Sequence, residues 1–325
     1  MKRRLLFAIL VLFVLAGLAA CAKTEPVGAE KITLAMGFIP NVQFTPVYVA
    51  LERGYFAEQG LEIVLDYGME TDLLQRLATG NVNFAIASGD QVVLARANGL
   101  PVTYAASWYR RFPVCVVSLA ESGIQAPQDL IGKRVGIPAL EGASYIGWLA
   151  FLDGAGIPRE SVDLQVIGYT QVASLTEKRV DAVVSYALNE PVQLRQLGYE
   201  LNVFYLDEYT RLVSNGLITN DQTIAQEPDL AQRMATAFVQ GIQATLADPD
   251  AAFAITRQYI PEMDDQSAVL QRAVLEECLR YWSAEPLGYN DPAAWADSVA
   301  LLRSLGLITT DLAPETLYTN AFVTP

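Results

Sequence analysis

The sequence predicts an α/β fold with largely parallel sheets, arranged as two lobes. Three observations carry that expectation. Short apolar runs alternate with helix-like segments through the first 220 residues, which is the pattern βα units produce. Beyond Thr223 the chain reads as helix alone. A helix end, strand, loop and helix at 81–102 also has a counterpart at 179–203, so that two lobes would each present the same corner.

From the N-terminus, the first twenty residues stand apart. Lys2, Arg3 and Arg4 precede an apolar run from Leu5 to Leu18, the layout of a signal peptide and short for a membrane span. Leu18-Ala19-Ala20-Cys21 resembles a bacterial lipobox, after which Cys21 would be lipidated (palmitate among its acyl chains) and become the mature N-terminus. Plain cleavage with Cys21 incidental is the alternative. Residues 21–30, with Lys23, Glu25, Pro26 and Gly28, read as a tether.

Strand-like runs follow at 32–36, 61–67, 83–87, 102–106, 114–119, 134–137, 163–167, 182–186 and 202–205. Helix-like segments fall between them at 47–59, 72–78, 91–98, 144–154, 172–178 and 191–197. The C-terminal helices are expected at 229–246, 249–258, 265–281 and 292–305. Crossings between lobes are expected near Val114 and near Val213, each lying between complete α/β blocks. Lobe 1 then comprises 31–115 plus 216–325, and lobe 2 comprises 116–215.

Composition narrows the function. Without the three leader cations, 19 basic residues face 36 acidic ones, a net of −17 that argues against nucleic acid and polyanionic substrates. The chain has no histidine, and its mature part has only Lys23, Lys31, Lys133 and Lys178. Histidine-based catalysis is therefore absent, together with the usual zinc or iron sites, and neither catalytic residues nor metal nor cofactor are expected. Cys115 and Cys278 sit in apolar surroundings and read as buried free thiols. The composition suits a binder.

In open α/β sheets, ligands sit outside the carboxyl ends of strands. Ser88-Gly89-Asp90-Gln91 and Tyr186-Ala187-Leu188-Asn189-Glu190 occupy that place in the two echoed units. Asp90 and Glu190 also suit helix N-termini, where a carboxylate meets free amides. Asn41 and Gln43 lie between the first strand and helix, and could pair with an imide or pyrimidine edge or merely form a turn. Phe44 and Tyr48 read equally as core or as site. Trp108 and Tyr186 are the first choices to stack on a flat ligand, with Tyr145 and Tyr109 beside them. Arg110 and Arg111 would suit a phosphate or sulfonate, or else lie as surface charges near the hinge. Ser144, at a helix start, and Asn215 are candidates for an oxygen-rich part of the ligand.

Ile39-Pro40-Asn41-Val42-Gln43-Phe44, with Tyr48, Gly54-Tyr55-Phe56 and Gly60-Leu61, resembles the thiamin-pyrimidine-binding group of periplasmic solute-binding proteins. The resemblance runs from Ile32 to about Thr310. It implies a type II periplasmic-binding-protein fold with two crossover strands, and an ABC permease as partner. It also places Glu190 where a carboxylate meets the ligand's heteroaromatic edge. Within the group, the stretches 87–96, 106–114, 142–147, 189–194 and 212–217 are most similar to riboflavin-binding lipoproteins. The resemblance therefore implies riboflavin as the transported ligand, an extracytoplasmic location, a lipid anchor as the membrane link, and a monomer. A thiamin pyrimidine precursor is the alternative ligand. A pyrimidine synthase of the same fold is a remote one, because that enzyme relies on histidine and a cysteine-rich motif.

Overall fold

The computed structural model describes residues 28–283 and 285–323. The signal peptide, Cys21 and most of the expected tether lie outside the described residues. The tether ends earlier than expected, because Glu30 already belongs to the first strand and its amide bonds the Gly60 carbonyl at 2.8 Å.

The first block runs β1 (Glu30–Gly37), α1 (Thr45–Glu52), α2 (Tyr55–Glu58), β2 (Leu61–Gly68), α3 (Glu70–Ala78), β3 (Phe84–Ser88), α4 (Gly89–Ala97) and β4 (Val102–Ser107). The second runs β5 (Val114–Leu119), β6 (Arg134–Ile137), α5 (Gly142–Ala155), β7 (Asp163–Val166), α6 (Gln171–Thr176), β8 (Ala182–Tyr186), α7 (Glu190–Gln196) and β9 (Leu201–Tyr205). The chain then closes with β10 (Asn215–Asn220), α8 (Asp221–Gln226), α9 (Pro228–Ala247), α10 (Pro249–Tyr259), α11 (Asp265–Trp282) and α12 (Pro292–Ser304).

These strands form two five-stranded sheets, ordered β2-β1-β3-β10-β4 and β7-β6-β8-β5-β9. In each, three parallel strands are followed by one antiparallel strand, β10 or β5, through which the chain enters that sheet from the other. The echo is visible here. β3 and β8 take the same third place, each beside the antiparallel strand, and α4 and α7 start directly from their corners.

Two departures have local causes. The single helix expected over 47–59 is two, because Gly54 takes φ +78° and turns the chain. The expected helical start at Thr223 also comes early: Asn220 accepts from the Thr223 amide at 2.7 Å and so starts α8 at Asp221.

Both sheets are buried through their centres, and β3, β4 and β5 are buried along their whole length. Cys115 and Cys278 are free and buried. Where the two connections pass, backbone bonds lock the first against the lobe 1 elements around it. The amides of Trp108 and Tyr109 donate to the Asn215 carbonyl at 3.2 and 2.9 Å, and that of Arg110 to the Tyr281 carbonyl at 2.8 Å. Helix α11 carries Tyr281 and also touches α7, so the C-terminal helical block reaches the second lobe. Among the described residues, no helix is long and apolar enough to cross a membrane.

Candidate functional site

The parallel strands of both sheets end at one cleft of about 300 Å³, lined from both lobes. Lobe 1 contributes Phe38 after β1, Asn41, Gln43 and Phe44, Glu70 after β2, Trp108, Tyr109 and Asn215. Lobe 2 contributes Glu141 and Ser144 after β6, Tyr169 and Gln171 after β7, and Tyr186, Asn189 and Glu190 after β8. Each group arrives for the same reason. A parallel strand ends, and its following loop or helix start is the first backbone free to meet a ligand.

Of the residues expected from the sequence, this cleft brings together Asn41, Gln43, Phe44, Trp108, Tyr109, Ser144, Tyr186, Asn189, Glu190 and Asn215. It leaves out five. Tyr48 is fully buried, its ring stacked on Tyr259 at 4.7 Å and its hydroxyl 3.0 Å from that of Tyr67. Ser88, Asp90 and Gln91 form the wall behind the cleft, all buried. Tyr145 packs half-buried against the core of the second lobe. The first four are enclosed by the packing around α1, β3 and α4, with the Ser88 hydroxyl on Glu70, and Tyr145 lies one helical step from Ser144, which lines the cleft.

Asn41 forms a turn and lines the cleft. Its Oδ1 accepts from the Gln43 amide at 2.8 Å and its Nδ2 donates to the Ile39 carbonyl at 2.7 Å, forming the turn that starts the next helix. One Nδ2 hydrogen stays free for a ligand. Trp108 is only 2% exposed, hemmed by Tyr109, Trp282, Phe238 and Phe44 at ring-centroid distances of 5.2 to 6.2 Å. It forms the floor and offers no open face for stacking. The accessible rings are Phe38, half-buried, and Tyr169, 63% exposed, whose centroids meet across the two lobes at 5.6 Å, with Tyr186 beside them.

Glu70 was not singled out by sequence. It opens α3, and its two oxygens accept from Ser88 Oγ at 2.6 Å and Asn215 Nδ2 at 3.1 Å. Gly37 makes room for it: a Cβ there would come within 2.7 Å of Glu70 Cγ and 2.6 Å of the Ile86 carbonyl. Enclosure by protein, aided by the nearby Asp90 charge, pushes its carboxyl up to about 7. Burial likewise lifts Asp90 to about 6, its Oδ2 taking a bond from Gln91 while Oδ1 has no partner. Glu190 opens α7 and accepts from the Tyr186 amide at 3.1 Å, and burial raises it to about 7 as well. Phe38, Glu70, Glu141 and Tyr169 all carried a readable signal: each follows a parallel strand within a few residues, a position the sequence singles out after β1, β3 and β8 at other residues.

Arg110 and Arg111 stand apart. They line a separate hollow of about 520 Å³ between the two connections, with Tyr109 as the shared wall. Arg111 pairs with Asp207 and lies over the Tyr281 ring, while Arg110 donates to the Tyr289 carbonyl at 2.7 Å. These two cations tie the hinge region together. Among the described residues, no group of three histidine, cysteine or acidic side chains is placed to hold a metal ion.

A family model described as NMT1/THI5 like matches residues 41–252. The riboflavin-binding protein RibY of Chloroflexus aurantiacus is 38% identical, over 99% of this chain and 98% of its own. A formylaminopyrimidine-binding protein of Halalkalibacterium halodurans is 28% identical over 92% of each. A 4-amino-5-hydroxymethyl-2-methylpyrimidine phosphate synthase of Legionella pneumophila is 25% identical, over 90% of this chain and 92% of its own. Among solved structures, the periplasmic aliphatic sulphonate binding protein SsuA of Escherichia coli superposes with a TM-score of 0.72. It is 13% identical and is matched over 89% of this chain and 91% of that one, a likeness of fold.

Proposed function

The chain belongs to the NMT1/THI5-like family, and from that premise we propose that it captures riboflavin between its lobes and delivers it to an ABC permease. The observation that carries this reading is the cleft itself. It joins aromatic rings from both lobes with amides and carboxylates at the strand ends, which suits a flat heteroaromatic ring with a polar tail. Phe38, Tyr169 and Tyr186 are the proposed stacking groups. Asn41, Gln43, Glu70, Asn189, Glu190 and Asn215 are the proposed polar partners, with Ser144 and the start of α5 available to ribityl hydroxyls. The relative at 38% identity, named for riboflavin, supports this ligand over the family's pyrimidines.

A thiamin pyrimidine precursor is the second reading, favoured by the formylaminopyrimidine-binding relative and by the amide–carboxylate set at Asn41 and Glu190. The family also holds proteins named as synthases. A catalytic role is not proposed here, because the chain has no histidine and no lysine or cysteine lines the cleft among the described residues. The proposed protein is an extracytoplasmic monomer, anchored through a lipidated Cys21 and free of bound cofactor. Two measurements test the ligand: the absorbance spectrum of freshly purified protein, and calorimetric titration with riboflavin and with hydroxymethylpyrimidine. A flavin spectrum and preferential binding of riboflavin are expected. Preferential binding of the pyrimidine by colourless protein would falsify the first reading and leave the second.

A further inference from the structure

We propose that this cleft selects against phosphorylated forms of its ligand, with Glu70, Glu141 and Glu190 as the specificity-determining residues. This rests on the reading of the cleft as a solute site. Phosphate esters of the ligand would then have to be hydrolysed, by a phosphatase-type reaction, before capture.

The first observation is the absence of cations. No lysine or arginine is among the described residues lining the cleft, and the chain has no histidine. Arg110 and Arg111, next to the cleft residue Tyr109, are committed to the hinge: one to the Tyr289 carbonyl, the other to Asp207 and the Tyr281 ring.

The second observation concerns helix N-termini, which otherwise bind phosphate through free amides and the helix dipole. In this cleft the chain supplies its own anions at those places. Glu70 is the first residue of α3, Glu190 the first of α7, and Glu141 the residue preceding α5. The exceptions are α1, whose N-cap Phe44 lines the cleft with no acid in its first turn, and α6, a six-residue helix that opens with Gln171. Three carboxylates therefore stand where a phosphate's partners would be needed. Enclosure already holds Glu70 and Glu190 near 7, so the site disfavours the charges it has. A phosphomonoester brings about 1.5 to 2 further negative charges at neutral pH. A fold shared with sulphonate-binding proteins does not oblige this cleft to accept anions.

The test is calorimetric titration at pH 8, where the raised carboxyls are mostly ionised, with two pairs: riboflavin and riboflavin 5′-phosphate, and hydroxymethylpyrimidine and its phosphate. In whichever pair binds, the ester is expected to bind about a hundredfold more weakly or worse, since like-charge juxtaposition is costly in an enclosed site. Glu141 is exposed, so it can be changed without disturbing the core. Glu141→Lys should narrow the gap about tenfold or more, and Glu141→Gln should fall between. Similar affinities for ligand and ester in the wild type, or an unchanged ratio in Glu141→Lys, overturn the proposal. Preference for the pyrimidine over its phosphate, with no binding of either flavin, sinks the riboflavin reading and supports the selectivity. Failure of all four ligands to bind removes both.

Discussion

Glu190 both holds the β8–α7 corner, through the Tyr186 amide, and lines the cleft, and the two roles are separable by experiment. At pH 8, above its raised titration point, Glu190→Gln keeps the shape but replaces a charged acceptor, whose hydrogen bond is worth roughly 1.5–3 kcal/mol. Riboflavin should therefore bind about ten- to a hundredfold more weakly by calorimetry. Unchanged affinity with a lower melting temperature would leave Glu190 as a support of the corner alone. Glu70 makes a different prediction. Its carboxyl, raised from 4.5 to about 7, keeps in the folded protein a proton that the unfolded chain releases. Stability from this group is thus fully present below about pH 4.5 and falls as pH rises towards 7. Glu70→Gln removes that decline, so its melting temperature relative to wild type should be higher at pH 8 than at pH 5. Parallel melting curves across that range would refute the account. Trp108, walled in by four aromatic rings, is a packing residue first, and Trp108→Ala should cost about 3–5 kcal/mol in denaturant unfolding.

The corner between β3 and α4 shows how an element is placed. Gly89 starts α4 with its amide on the Ser214 carbonyl at 2.9 Å, against the returning connection. A Cβ there would lie 2.3 Å from Val213 Cγ1 and 2.7 Å from Val213 Cβ, so the helix can approach only as glycine. Gly89→Ala should push α4 from the connection and destabilise the fold by about 1–3 kcal/mol, the usual range for overpacking. Gly54→Ala is a useful contrast. Nothing lies near its Cβ, so any loss there reflects only its left-handed backbone. The corner matters beyond stability, because β3 and β10 present Ser88 and Asn215 side by side, and these two groups hold Glu70.

Two sheets that share one cleft and two connections make a molecule whose ligand contacts come from both sides. Ligand is therefore expected to favour the closed arrangement, since contacts from both lobes are available only when they meet. Small-angle scattering should show a smaller radius of gyration on saturation with riboflavin, and an unchanged curve would count against closure. Membrane attachment should depend on one atom outside the described residues, the Cys21 sulfur. Cys21→Ser should shift the protein from the membrane to the soluble fraction with ligand affinity intact. Continued membrane partitioning without detergent would defeat the lipid anchor.

Alternation of apolar runs with helical segments was enough to place most strands to within a residue or two. That signal is local: a strand buried on both faces must be continuously apolar, whichever sheet receives it. The carboxyl-end rule likewise pointed to Tyr186, Asn189 and Glu190, because a corner after a buried strand has few other places to go. The same rule, carried to the residue next to β1 and to β2, β6 and β7, reaches Phe38, Glu70, Glu141 and Tyr169. Other assignments were beyond any local reading. Asn41 faces the cleft while Tyr48, seven residues on, packs against Tyr259 from a distant helix. Arg110 and Arg111 find their partners at Tyr289 and Asp207, and Trp108 becomes a floor because Phe238 and Trp282 arrive beneath it. Which side of a corner becomes cleft and which becomes core depends on what the rest of the chain brings against it, and residue patterns within one segment contain no record of that contact.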